Sequence, residues 1–488
     1  MSDTKISIDD FLAKEGFLNI SQDEGSISSL SIKQEHKDLE SAEKKLKEIT
    51  KQFEDSTLNY QIAKDVSQSP IDTYDIPVII GHLQWHMHEI ALNVINREEI
   101  IKQAFFAILT GEHVLLLSRT GMAKSFLANS IFNTFSGMRI FSAQASKDQT
   151  PDNYFGPYNI EEFKKGRIKH NVMGSIIEAK LVFLDEFFDA SDVVLRSLLS
   201  VLNERKFING QEQIDAAVHT AIATANYMRM NEVTEAVLDR FTYKAIIPES
   251  SNTYYQLLID KVYSDTMGNP EFSGKKIHFD QIIYLNGIIK NKNKDLRIEI
   301  PDTVYYMKNI IVNRFVGEMR KHDPKFFISP RKLAKLSDFI RANALLNNRL
   351  EVRLDDLADM HLALCTLNSY VSVKTKDKSE RDLYLDVYRQ TMTHFNVTGG
   401  IQQIEFLLNA RSVLQDLRKN PANKENLFKQ KGVLDNIFRL ILKVFPNRNS
   451  QNDELTPELL KKGILELEPA VSEVDELKDG ILKEFKDL

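Results

Sequence analysis

Val114-Leu115-Leu116-Leu117-Ser118-Arg119-Thr120-Gly121-Met122-Ala123-Lys124-Ser125 is the stretch on which the reading of this sequence turns. The run Val114 to Leu117 is wholly apolar and bounded by turn signals, Thr110-Gly111-Glu112 before it and Ser118 after it. Such a run fits a central strand of a sheet covered on both faces. Lys124 to Phe135 then has helical periodicity. A strand that delivers the chain to a helix N-terminus presents free N–H groups, which favour an anion. The general phosphate loop is Gly, four residues, Gly, Lys, then Ser or Thr. Here Ser118 and Ala123 replace the two motif glycines, and Gly121 survives inside the loop. Lys124 can neutralise β/γ-phosphates, and the Ser125 hydroxyl can coordinate Mg2+. The alternative is a strand–loop–helix junction whose lysine faces solvent.

Working outward, Asn96 followed by Glu99 resembles a capping box for a helix from about Arg97 to Leu109. Further strands are expected at Arg139 to Ser142, Lys180 to Leu184, Val218 to Ala225 and Tyr243 to Ile247. Lys206 to Ile208 and Gln211 to Ile214 flank Asn209-Gly210, which reads as a hairpin. Helical patterns at Ser191 to Asn203 and Val233 to Arg240 separate several strands. That alternation argues for a three-layer α/β domain. The polar residues at 118–125, 185–186 and 226 sit just after apolar strands, the edge at which open α/β sheets bind ligands.

Three groups follow from that placement. Asp185, at a strand end, can hold a magnesium shell, and Glu186 can orient or deprotonate an attacking water. The alternative is a pair of solvated acids. Asn226 can hydrogen-bond the water or a γ-phosphate, or it can simply cap a helix. Arg240, in Asp239-Arg240-Phe241, is placed to reach a neighbouring subunit's γ-phosphate. Arg331, in Ser329-Pro330-Arg331 at the opening of a helix, can touch the nucleotide across a domain cleft. For either arginine the alternative is an intramolecular ion pair. His82 and His86 share i,i+4 spacing, but a core or surface histidine is the commoner meaning of that pattern.

The 488 residues are 42% apolar and 27% charged with a net charge of −6, enough for a sizeable core. No long basic block appears, which gives no support to a nucleic-acid partner. The single cysteine, Cys365, makes no internal disulfide and suits a reducing compartment. The polar start lacks a signal-peptide core, and no apolar run is long enough to span a membrane, so the expected location is cytoplasmic. Residues 1–70 read as a helical, partly flexible extension, with an amphipathic run from Ile32 to Phe53. Residues 71–250 read as the α/β core, 251–365 as a helical lid and 366–488 as a mostly helical C-terminal region.

With these residues in place, the chain resembles the MoxR-type AAA+ ATPases, in style nearest the regulatory ATPase variant A branch, over roughly residues 75–365. The supporting strings are Asn96-Arg97-Glu98-Glu99, Gly121-Met122-Ala123-Lys124-Ser125, Phe155-Gly156-Pro157, Leu184-Asp185-Glu186 and Leu198-Leu199. Leu202-Asn203-Glu204-Arg205, Asn209-Gly210, Ala225-Asn226, Asp239-Arg240-Phe241 and Ser329-Pro330-Arg331 complete the series. Ala123 is ordinary for that family, whereas Ser118-Arg119-Thr120 stands where it tends to have Gly-Pro-Pro. The resemblance implies a P-loop NTPase core of mostly parallel sheet, a helical lid, ATP and Mg2+ as ligands, and a homo-oligomeric ring, typically a hexamer. It also implies ATP hydrolysis coupled to remodelling or maturing protein complexes, with partners that often carry von Willebrand factor A domains. Lys124, Ser125, Asp185, Glu186 and Asn226 would then act within one subunit, Arg240 in trans and Arg331 through the lid. A nucleotide-gated scaffold with little hydrolysis is the competing expectation.

Overall fold

Five short apolar runs become the strands of one parallel sheet, because each is covered on both faces or pairs with one that is. In this computed structural model they are β1 (Val114–Leu117), β2 (Ile140–Gln144), β3 (Leu181–Asp185), β4 (Thr220–Ala225) and β5 (Tyr243–Ile246). Their spatial order is β5-β1-β4-β3-β2, and every pairing is parallel. β1 and β4 are buried at every residue, whereas the edge strand β2 exposes or half-exposes each of its side chains. The structure describes residues 5–7, 74–167, 169–209, 212–229, 238–247, 252–268, 270, 272–364, 379–419 and 457–486. The expected helix at Ile32 to Phe53, Cys365 and most of Val233 to Arg240 lie outside these.

The residues form two compact units. The first runs to Ile298 and includes Ile328–Leu350 and Leu362–Lys376. Its helices include α1 (Ile76–Asn93), α2 (Glu98–Thr110), α3 (Lys124–Phe132), α4 (Asp192–Glu204), α5 (Phe279–Ile289) and α6 (Pro330–Leu346). One sequence expectation at a helix start holds, with Pro330 in the first turn of α6, and the caps are set by serines. The Ser191 hydroxyl accepts the Val194 N–H at the start of α4, and Ser329 caps α6. The expected capping box at Asn96 does not form. Asn96 adopts a left-handed backbone (φ 59°), outside the extended region a cap needs, and Arg97 occupies the cap position without a side-chain bond. The hairpin is present as Lys206–Asn209 paired antiparallel with Glu212–Asp215. A strand not expected from the sequence, Lys5–Ser7, pairs antiparallel with Tyr227–Arg229.

The second unit comprises Glu299–Phe327, Glu351–His361 and the residues from Asp377 onward. It is helical, with α7 (Glu380–Thr398), α8 (Gly400–Lys419), α9 (Pro457–Glu466) and α10 (Ser472–Glu484) beside the helix Asp302–Arg320. Phe315 packs edge-on to Tyr384 inside it. Arg314 pairs with Glu473 at 2.6 Å and lies over the Phe395 ring.

Opposite the polar edge, the first unit is pinned by a buried cluster. Arg205 donates to the carbonyls of Leu202 (2.7 Å), Gly111 (2.7 Å) and His219 (3.0 Å), and burial lowers its pKa to about 10. His113 Nδ1 accepts the Ala221 N–H at 3.0 Å, so its proton sits on Nε2 and donates to Leu202 O at 2.6 Å. Burial, with the Arg205 charge, holds His113 neutral, well below its usual range. His219 donates to Ile108 O at 2.7 Å, and burial pushes its pKa down to about 4. The unfolded chain therefore binds more protons than the folded one between that value and about 6.5, and stability is lost as pH falls through that window. Denaturant melts should show about 2 kcal/mol less stability at pH 5 than at pH 7 from His219. His219→Gln should flatten the profile by that amount.

Candidate functional site

Parallel pairing places four adjacent strand ends side by side. The β1–β4 register matches Leu117 with Ala225, and the Ser118 N–H extends it by donating to Ala225 O at 3.0 Å. The loop leaving β1 is therefore held next to Asn226. Ser118 is fully buried, and its hydroxyl donates to Arg119 O at 3.1 Å. Arg119 is half-buried, Thr120 and Gly121 are exposed, and Met122 is half-buried. Gly121 has φ 83°, a left-handed conformation that would strain a side chain there even though space is open. Ala123 also sits left-handed (φ 57°, ψ 29°) and turns the chain into α3.

Lys124, buried at the start of α3, donates to the Asn226 side-chain oxygen and to Ser118 O (3.4 Å). Burial lowers its pKa, and the Asp185 and Glu186 carboxylates oppose that shift. Ser125 Oγ donates to Asp185 Oδ2 at 3.2 Å. Asp185 Oδ1 accepts the Thr224 hydroxyl and the Glu186 N–H (3.0 Å). Glu186 sits left-handed (φ 51°), and both its oxygens are engaged. Asn226 Nδ2 donates to Oε1 at 3.3 Å, and Gln144 Nε2 donates to Oε2 at 3.1 Å. A carboxylate in an unfavourable backbone conformation, steadied by two amides, is strain kept where chemistry needs a fixed direction.

The arrangement offers a lysine for phosphate charge, N–H groups at a helix start and a hydroxyl–carboxylate pair. The oxygen donors of Ser125 and Asp185 fit Mg2+, which takes one or two protein oxygens and fills its shell with phosphates and water. The histidine spacing leads elsewhere. His82 is fully buried, His86 Nε2 bonds Lys275 O at 2.8 Å, and Glu89 accepts the N–H groups of Ser273 (2.8 Å) and Gly274 (3.1 Å). Among the described residues no group of three or more His, Cys, Asp or Glu is placed to hold a metal.

The structure thus joins Ser118, Lys124, Ser125, Asp185, Glu186 and Asn226 into one hydrogen-bonded cluster. Arg331 bonds elsewhere, to Asp239 Oδ2 at 3.4 Å. Arg240 is half-buried and directly follows that aspartate in a helical turn. Two members escaped the sequence reading. Gln144 was missed because β2 was expected to end at Ser142, yet its register pairs Gln144 with Asp185. Thr224 lies two residues before Asn226 on the same face of β4 and is fully buried. A hydroxyl inside a buried apolar strand needs a partner, and that was the available signal.

The comparisons with known proteins agree with this geometry. A family model described as the MoxR domain in the MoxR-vWA-beta-propeller ternary systems matches residues 81–287. An AAA lid domain model matches residues 299–367. Together they take in more than half of the chain. An uncharacterized protein of Methanocaldococcus jannaschii is 26% identical over 283 residues, 57% of this chain and 69% of its own. A second from the same organism is 27% identical over 266 residues, 54% of this chain and 66% of its own. The crystal structure of a candidate ATPase from Cytophaga hutchinsonii superposes with a TM-score of 0.50 at 18% identity, covering 68% of this chain and 98% of that one. That likeness shows the fold. The fold is an AAA+ P-loop NTPase core with a helical lid and a further helical region. The chain belongs to the MoxR-type AAA+ ATPases. Among the described residues no helix is long and apolar enough to cross a membrane.

The left-handed Ala123 has a measurable consequence. An L-residue there carries a penalty of about 1 kcal/mol that glycine avoids. Ala123→Gly should therefore raise stability by about 0.5–1 kcal/mol in thermal or denaturant melts. A loss of stability would show that the loop adopts another conformation in solution.

Proposed function

We propose that this chain hydrolyses ATP to ADP and phosphate and uses the cycle to remodel or mature a protein complex. The observation that carries the reading is the unbroken chain Lys124–Asn226–Glu186–Gln144 beside the Ser125–Asp185 pair, across four strand ends. In this reading the N–H groups of residues 118–125 and the Lys124 ammonium receive the β- and γ-phosphates. Ser125 and Asp185 hold Mg2+, which when bound neutralises phosphate charge. Glu186 orients the attacking water and accepts its proton, while Asn226 fixes the carboxylate and faces the γ-phosphate. Arg240 completes a neighbour's site in trans, and Arg331 reports the nucleotide from α6.

The proposal includes a homo-oligomeric ring, hexameric by analogy with the family, in the cytoplasm. It also includes a protein partner bearing a von Willebrand factor A domain. The family description names MoxR-vWA systems, which supports that partner class. The proposed partner-facing element is the projection after Phe155-Gly156-Pro157. Phe155 itself is buried and stacks on Phe207 of the hairpin at 4.8 Å. The short helix Ile160–Lys164 beyond it buries none of its residues, and it presents Ile160 (71% exposed) and Phe163 (63% exposed). His170 bonds Glu212 at 2.7 Å, fixing the base of the projection to the hairpin. A scaffold that binds nucleotide with little turnover is the second reading, favoured by Ser118 and the left-handed Ala123 in the loop.

Glu186→Gln should bind ATP but lower turnover by about 100-fold or more. Equal turnover in the two proteins removes Glu186 from the base role, and tight ATP binding without turnover in both favours the scaffold. With a slowly hydrolysed ATP analogue, light scattering should report a ring mass. A monomer at every concentration removes Arg240 from any neighbour's site.

A further inference from the structure

Asp239 stands between the arginine proposed to serve a neighbouring site and the arginine proposed to sense the nucleotide, next to Arg240 in sequence and bonded to Arg331 in space. Its Oδ1 accepts the Ser329 hydroxyl at 3.3 Å, and its Oδ2 accepts Arg331 Nη1 at 3.4 Å. Both donors lie at the opening of α6, where Ser329 is the cap and Pro330 the first helical residue. A hydroxyl and a guanidinium converging on one anion are donors of the kind by which proteins hold a phosphate oxygen. Here a carboxylate of the same chain takes that place.

The strength of the contact decides its meaning. Arg331 and Asp239 are 47% and 44% exposed, and water leaves an ion pair so open only a small net contribution. That is too little to act as a structural clamp. It is enough to compete for one arginine. A terminal phosphate carries more charge than a carboxylate and accepts the planar guanidinium through two oxygens, so it takes Arg331 when it arrives.

We infer that Asp239 is an internal competitor for Arg331. Its carboxylate holds Arg331, and a γ-phosphate draws Arg331 away and frees the turn that carries Arg240. The contact therefore couples recognition of the third phosphate to the element proposed to serve the neighbouring subunit. ADP has no γ-phosphate and leaves the pair intact. The inference rests on the reading of Arg331 as a nucleotide sensor, and the variants below separate the two.

The test is equilibrium binding of a slowly hydrolysed ATP analogue and of ADP, each with Mg2+, to four proteins. These are wild type, Asp239→Asn, Arg331→Ala and the double variant. Asp239→Asn keeps the shape and the acceptor for Ser329 but removes the charge. It should tighten the analogue by about 2–5-fold, the fraction of Arg331 that the pair withholds, and leave ADP unchanged. Arg331→Ala should weaken the analogue, and adding Asp239→Asn to it should change nothing further. If Arg331→Ala weakens the analogue but Asp239→Asn changes neither nucleotide, shifts both equally or still acts without Arg331, the competitor role is wrong. If Arg331→Ala leaves the analogue's affinity unchanged, the sensor reading fails and the inference falls with it.

Discussion

The site depends on the pairing of Val114–Leu117 between Thr220–Ala225 and Tyr243–Ile246. A four-residue strand flanked by parallel neighbours on both sides has no freedom of register, because its side chains are buried on both faces. Its next residue, Ser118, is then obliged to extend the ladder to Ala225. That bond carries the loop to Asn226 and brings Lys124 within reach of the amide. Every later contact in the cluster follows from the same alignment of strand ends.

The cluster balances charge without neutralising it. Lys124 is buried, a state that disfavours its ammonium, and the carboxylates of Asp185 and Glu186 oppose the effect. The two acids are in turn held by neutral donors, Asp185 by Thr224 and Ser125, Glu186 by Asn226 and Gln144. Neutral donors fix direction while leaving the negative charge available to a metal ion or to a water proton. Left-handed Ala123 and Glu186 add conformational cost at the two turns where the chain bends around the site. Away from this edge, the Arg205, His113 and His219 cluster ties the opposite ends of the same strands to α2 and α4. One end of the sheet is thus locked by satisfied buried groups, and the other is kept polar and open.

Most of the core fold was legible from residue type and spacing. The runs at 114–117, 180–184 and 218–225 announced strands, and the polar residues after them marked the working edge. The family strings added order and distance. The arginines were the weak point. The sequence left Arg331 between a nucleotide contact and an ion pair within the chain, and the structure shows the ion pair with Asp239. The exposed Ile160 and Phe163 were not singled out, because apolar residues in a short charged segment carry no periodic signal.

The sequence by itself determined which central runs are buried and which acids, amide and lysine stand just after them. These are properties of local pattern, since burial of an apolar run depends on its own composition. Only the tertiary structure decided which side chains meet. Gln144 reaches Glu186 through the β2–β3 register, and Thr224 reaches Asp185 from the adjacent strand. Asp239 reaches Arg331 across ninety-two positions of chain. Hydrogen-bond partners of this kind are chosen by register and helix placement between distant segments, a geometry that no local spacing encodes.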